Sequence, residues 1–98
     1  MATATVDLEG TGTLSTTETM SANSITIGDR AQALNVYLSD NTDGTFSIGN
    51  STDAVTLPNS VWVEVYRREN TDNTGDKVVY FATGSGRGTQ NIFYRVTA

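Results

Sequence analysis

Polar and apolar residues alternate along most of this chain with a period of two, and nowhere does the 3.6-residue spacing of an amphipathic helix persist. The strongest run is residues 60–68, Ser-Val-Trp-Val-Glu-Val-Tyr-Arg-Arg, with valine at every second position through Val65. It predicts a central strand with Val61, Val63 and Val65 on a dry face and Trp62, Glu64, Tyr66 and Arg68 on a mixed one. The same alternation predicts strands over residues 24–27, 34–39, 45–48, 54–57, 77–83 and 91–97. Residues 77–83 carry bulk on both faces, so that strand belongs inside a sheet. Asp29 is placed to cap one helical turn ahead of residue 34.

Turn-forming clusters separate these runs: Gly28-Asp29, Asp40-Asn41-Thr42-Asp43-Gly44, Pro58-Asn59, residues 69–76, and Gly84-Ser85-Gly86-Arg87-Gly88. Two of them predict hairpins, one over residues 34–48 and one joining 60–68 to 77–83. Residues 2–24 are rich in Thr and Ser, with Val6, Leu8, Leu14 and Met20 as the only large apolar side chains. Two readings of residues 1–20 stay open. One is an edge strand of the same fold with a bend or bulge at Gly10 and Gly12, and the other is an extended arm that pairs with a neighbour. Seven to eight short strands separated by such turns predict an all-β fold, an antiparallel β-sandwich or small barrel, in a single domain spanning residues 1–98.

Composition narrows what such a domain does. A chain of 98 residues removes only about 60–65% of its unfolded surface from water, so one small core must hold it. Cysteine and histidine are both absent, which excludes disulfides, thiolate and imidazole metal sites, and the commonest base at neutral pH. Burial against a partner is the expected second source of stability. The net charge of −5, from 11 acidic and 6 basic residues, argues against nucleic acid, whose phosphates need clustered cations. The charge is also uneven: Asp7, Glu9, Glu18 and Asp29 precede the first cation, whereas Arg67, Arg68, Lys77, Arg87 and Arg95 all follow residue 66. No run approaches the roughly 20 apolar residues of a membrane span, and the first residues have neither a basic start nor an apolar run of signal-peptide length. No membrane partner and no export signal are expected.

Candidate chemistry is sparse. Asn70, Asp72, Thr74 and Asp76, with Gly75, resemble the start of a calcium loop, but the position that should hold a bidentate carboxylate is Phe81. The glycine-rich run at 84–88 lacks the Gly-Lys-Ser/Thr ending of a phosphate loop, and Asn50-Ser51-Thr52 is a glycosylation sequon. No carboxylate pair, and no Ser-Lys arrangement around Lys77, has a recognisable spacing, so neither enzyme activity nor a cofactor is expected. The most informative surface is the mixed face of residues 60–68. There Trp62 and Tyr66 are expected about 13 Å apart on one side with Glu64 and Arg68, flanked across the hairpin by Tyr80 or Phe81. That stripe is either the core beneath a second sheet or an interface suited to a protein or to stacked sugar rings. Val6, Leu8, Trp62, Tyr66 and Arg68 are therefore the interface candidates.

The Thr/Ser/Asn/Gly-rich composition, the absence of Cys and His, the single proline and the Met start without a signal resemble the small structural proteins of tailed-phage particles, capsid decoration or cement proteins in particular. The resemblance spans the whole chain and rests on no motif, so it transfers no residue role. It implies a non-enzymatic β-module, made in the host cytoplasm and carried in the virion, that binds and stabilises an assembled shell. Its implied partners are a capsid or other virion protein and other copies of itself in a homo-oligomer. The alternative is a small carbohydrate- or protein-binding sandwich that uses Trp62 and Tyr66.

Overall fold

Leu34, Val36 and Leu38, the apolar side of the cleanest alternation outside residues 60–68, are fully buried, and so are Ile25, Ile27, Val79, Phe81 and Ile92. They come from two sheets pressed together in a computed structural model that describes residues 2–69, 75–84 and 86–98. The strands are β1 (Ala2–Val6), β2 (Gly10–Thr17), β3 (Asn23–Ile27), β4 (Ala33–Leu38), β5 (Gly44–Ile48), β6 (Val55–Leu57), β7 (Trp62–Arg67), β8 (Lys77–Ala82) and β9 (Thr89–Thr97). One sheet runs β1-β3-β8-β5-β6 and the other β2-β9-β4-β7. Among these strands every pairing is antiparallel except that of β1 with β3.

The pairing has a simple origin. Gly10 lies opposite Val96, Ser24 opposite Tyr80, Ala33 opposite Arg67 and Gly44 opposite Leu57, so the midpoint of each pair falls between positions 49 and 53. Strands β2 to β9 thus follow the pairing of one long hairpin, with its apex at residues 49–54, wound so that β9 meets β4 and β8 meets β5. Two four-stranded sheets in this order form a jelly roll, to which β1 is added as a ninth strand.

The expected antiparallel sandwich is present, with nine strands among the described residues in place of seven or eight because residues 2–17 supply one strand to each sheet. This segment pairs within its own chain: β1 lies beside β3, and β2 beside β9 without a break from Gly10 to Thr17. The bend falls at residues 7–9, not at Gly10 and Gly12. Gly28 holds that bend against the fold. Its N–H donates to the Val6 carbonyl at 2.9 Å, and a Cβ there would overlap the Asp7 carbonyl oxygen.

Neither predicted hairpin forms, since β4 and β5 lie in different sheets, as do β7 and β8. Gly, Asn and Asp mark where a chain reverses, and a crossing between sheets uses the same residues as a hairpin turn. Residues 60–68 do not form a central strand either, because β7 is an edge of the four-stranded sheet. A half-buried edge accommodates Val, Trp and Tyr as readily as a sheet centre does. Asp29 opens no helix. Residues 28–31 close as a turn, with Ala31 N–H donating to Gly28 O at 3.1 Å, and the 3₁₀ turn lies instead at Met20–Ala22.

A jelly roll sends its chain between sheets at most connections, and these crossings have backbone polar groups that no ladder pairs. Buried polar side chains satisfy them. Asn23 Nδ2 donates to the carbonyls of Thr17 (3.1 Å), Thr19 (2.9 Å) and Phe81 (3.1 Å). Gln90 Nε2 donates to Ser39 O (3.0 Å) and Thr42 O (2.9 Å), and its Oε1 accepts Gly84 N–H at 3.0 Å. Arg68 does the same at the opposite end, with Nε donating to Ala31 O (2.8 Å) and Nη2 to Gly28 O (2.9 Å).

The apex is a side-chain network around Asn50. Its Oδ1 accepts from Ser47 Oγ (3.0 Å), Thr52 N–H (2.9 Å) and Asp53 N–H (3.0 Å), and its Nδ2 donates to the Asp53 carboxylate at 2.9 Å. Asn50→Ala should cost about 1 kcal/mol and lower Tm by roughly 4–8 °C for a domain of this size. Calorimetry reads this directly, and an unchanged Tm would show that the apex is held by its flanking strands alone.

Candidate binding face

The outer surface of the four-stranded sheet is built by alternation. On β9, Gln90, Ile92 and Val96 are buried and Tyr94 half-buried, which leaves Asn91, Phe93, Arg95 and Thr97 outward. On β4, Leu34, Val36 and Leu38 point to the core, and Asn35 and Tyr37 point out. Strand register then sets Thr13, Phe93, Tyr37 and Trp62 side by side in one row across β2, β9, β4 and β7. The Tyr37 ring lies 5.7 Å from Trp62 and 6.2 Å from Phe93, tilted by 53° and 49°. Trp62 remains 45% exposed and Phe93 40%. Arg95 reaches across Asn35 from two strands away and places its guanidinium 4.8 Å from the Trp62 ring centroid, within cation–π range.

A β-bulge decides which residues of β7 join this face. Tyr66 lies opposite Leu34 but Glu64 opposite Asn35, so Val65 is an extra residue and the alternation reverses across it. Trp62 and Glu64 point outward on one side of the bulge and Arg67 on the other. Arg67 then meets Glu64 with two hydrogen bonds, 2.9 Å from Nε and 2.8 Å from Nη2. Those hydrogen bonds hold the Glu64 carboxyl below its usual value against an opposing desolvation. A lowered carboxylate keeps its contribution above the usual value and loses it as pH falls through the lowered one, so the pair is intact in mildly acidic solution.

The predicted stripe is therefore split. Trp62 is on the outer face, whereas Tyr66 is half-buried and packed against the core from the inner face. Arg68, expected on the mixed face, is 3% exposed beneath the residue 28–31 turn and is closed to any interface. Val61, expected to be dry, is exposed, Val63 is half-buried and Val65 is buried. Val6 is half-buried against the core, and Leu8 is half-buried in the bend after β1. Trp62 is flanked by Tyr37, with Phe93 beyond Tyr37 in the same row, in place of Tyr80 or Phe81, because β8 belongs to the other sheet. Alternation turns Tyr37 outward and sets Phe93 opposite Ile92, but the pairing of β4 with β7 and β9 that brings them beside Trp62 was not legible.

Among the other candidate sites, the acidic side chains of Asp40 and Asp43 are engaged elsewhere. Asp40 is ion-paired with Arg87, and Asp43 accepts from Asn59 N–H (3.0 Å) and Nδ2 (2.7 Å). Residues 70–74 of the calcium-like loop and Ser85 of the glycine-rich turn lie outside the described residues. Among the described residues no group of three acidic side chains is placed to hold a metal ion, and no helix is long and apolar enough to cross a membrane. The aromatic row stands on open surface, with no enclosed pocket among the described residues. Compared with known protein families, curated proteins and solved structures, the chain matches none.

Proposed function

We propose that this chain is a non-enzymatic structural module that attaches to a protein surface through the outer face of its four-stranded sheet, as a decoration or cement protein does on an assembled viral shell. The row of Phe93, Tyr37 and Trp62, with Arg95 laid across Trp62, carries this reading. Aromatic and arginine side chains dominate protein-interface energetics, and these are held in place by a sheet and so lose little freedom on binding. The composition of the whole chain supports the viral setting. Jelly rolls occur in viral capsid proteins and in lectins, so the fold is compatible with this reading and with the carbohydrate alternative and separates neither.

The geometry favours protein over sugar. A saccharide stacks on an open ring face, but one face of Trp62 is occupied by the Arg95 guanidinium, and Tyr37 and Phe93 are tilted away from a common plane. A guanidinium on an indole is instead suited to carboxylates and backbone carbonyls of a protein partner.

Trp62→Ala should leave far-UV circular dichroism unchanged and weaken co-sedimentation with purified capsids of the source virus at least tenfold, equivalent to about 1.4 kcal/mol or more. Arg95→Glu should do the same. Capsid binding unaffected by both variants would refute the assignment, and saturable glycan-array binding lost in Trp62→Ala would select the carbohydrate reading.

A further inference from the structure

We propose that β2 is a pairing edge for a second copy of this chain, which adds antiparallel to it about a two-fold axis and joins the two four-stranded sheets into one. The two flanks of the sandwich differ in a way that points there. β1 and β2 form one flank, and β6 and β7 the other. An exposed edge strand invites pairing, and proteins prevent it with bulges, charges, proline or short length. The β6–β7 flank has all of these: β6 is three residues long and is followed by Pro58, while β7 carries the Val65 bulge with Glu64 and Arg67. β2 has none. It runs eight residues in unbroken register, without proline, and neither it nor β1 contains a charged residue, in a chain whose net charge is −5.

The unpaired stretch has a defined end. At Thr17 the N–H is taken by Asn23 Oδ1 (3.2 Å) and the carbonyl by Asn23 Nδ2 (3.1 Å), which closes that position to an incoming strand. Along residues 10–16, alternate backbone N–H and C=O groups face away from β9. Among the described residues none of them has a further backbone partner, and the nearest side-chain contact is from the Thr16 hydroxyl to Leu14 O at 3.4 Å.

A second copy fits this edge because its most repulsive feature, net negative charge, is absent there. With the axis at Thr13, the midpoint of the open stretch, Thr13 meets Thr13 and Thr11 meets Ser15 on the outer side. On the core side Leu14 lies opposite Gly12 and Thr16 opposite Gly10, so each larger side chain faces a glycine. Thr13 also belongs to the aromatic row, so this register sets the two rows in line across the joined sheet. The inference does not depend on what that face binds.

Sedimentation velocity from about 1 μM to 1 mM, a range that covers ordinary strand-mediated dimers, should show the mass rising to twice the 10.5 kDa of one chain. Thr13→Lys, which sets two ammonium groups against each other at the axis, should hold the single-chain mass throughout, with unchanged circular dichroism. Arg67→Ala on the guarded flank should dimerise like the parent. Hydrogen exchange on the unmodified chain, with amides of residues 10–16 slowing as concentration rises, reads the same edge if Thr13→Lys does not fold. A parent chain that stays monomeric across the range overturns the proposal. So does a dimer that Thr13→Lys leaves intact, or concentration-dependent protection that falls outside β2.

Discussion

Arg68→Met should lower the unfolding free energy by about 3–5 kcal/mol, a large part of the roughly 5–15 kcal/mol available to a domain. Methionine fills much of the volume of the arginine stem and leaves the packing near Ala31 intact, so the loss isolates the guanidinium. That group is buried and donates to Ala31 O, Gly28 O and, at 3.3 Å, Gly75 O. It ties the crossing between β3 and β4 to the connection between β7 and β8. Its removal leaves Ala31 O in a dry site without its donor and Gly28 O with the Ala31 N–H alone, and an unpaired buried carbonyl carries a desolvation penalty of about 1–3 kcal/mol. Arg68→Lys should fall between the two, because one ammonium cannot match the spread of a planar fork. Urea denaturation should show a lower midpoint with an unchanged slope. A loss under about 1 kcal/mol in Arg68→Met would mean that water replaces the guanidinium at little cost, and the crossing would then be held by strand pairing alone.

Asn23→Asp should be at least as damaging, at about 4 kcal/mol or more, although it changes a single atom. Asn23 is fully buried, and its Nδ2 faces the carbonyls of Thr17, Thr19 and Phe81. Aspartate puts an acceptor, and at neutral pH a charge, where three acceptors converge. Burial among carbonyl oxygens raises the carboxyl pKa of the folded state above its unfolded value, so the penalty is greatest above that raised value. It diminishes as pH falls toward the unfolded one. The gap between variant and parent should therefore narrow on acidification, read as the difference in urea midpoint between pH 7 and pH 4. Asn23→Ala, which loses the donors without adding charge, should cost less and show no such narrowing.

These two positions and the binding face show where reading the chain succeeds and where it stops. Alternation alone turned Leu34, Val36 and Leu38 inward, set Ile25 with Ile27 on one face and Ile92 with Val96 on another, and placed β8 within a sheet; all of these apolar side chains are buried. Period two is a local property, set by the pleat, and each strand carries it whatever its neighbour. Asn23 and Arg68 were not legible as structural residues, because a polar side chain becomes a crossing pin only through carbonyls brought to it from elsewhere. Arg68 lies 37 residues from its partner Ala31, and Asn23 lies 58 from Phe81.

The all-β class, the single small core and the absence of cysteine and histidine chemistry were thus determined by the sequence itself, since they depend on composition and on local periodicity. The assignment of strands to two sheets, the edge position of β7 and the gathering of Trp62, Tyr37, Phe93 and Arg95 were decided only by the tertiary structure. The bulge at Val65 shows why. One extra residue in a strand sends every side chain beyond it to the other face, and whether that residue is accommodated depends on the partner strand β4.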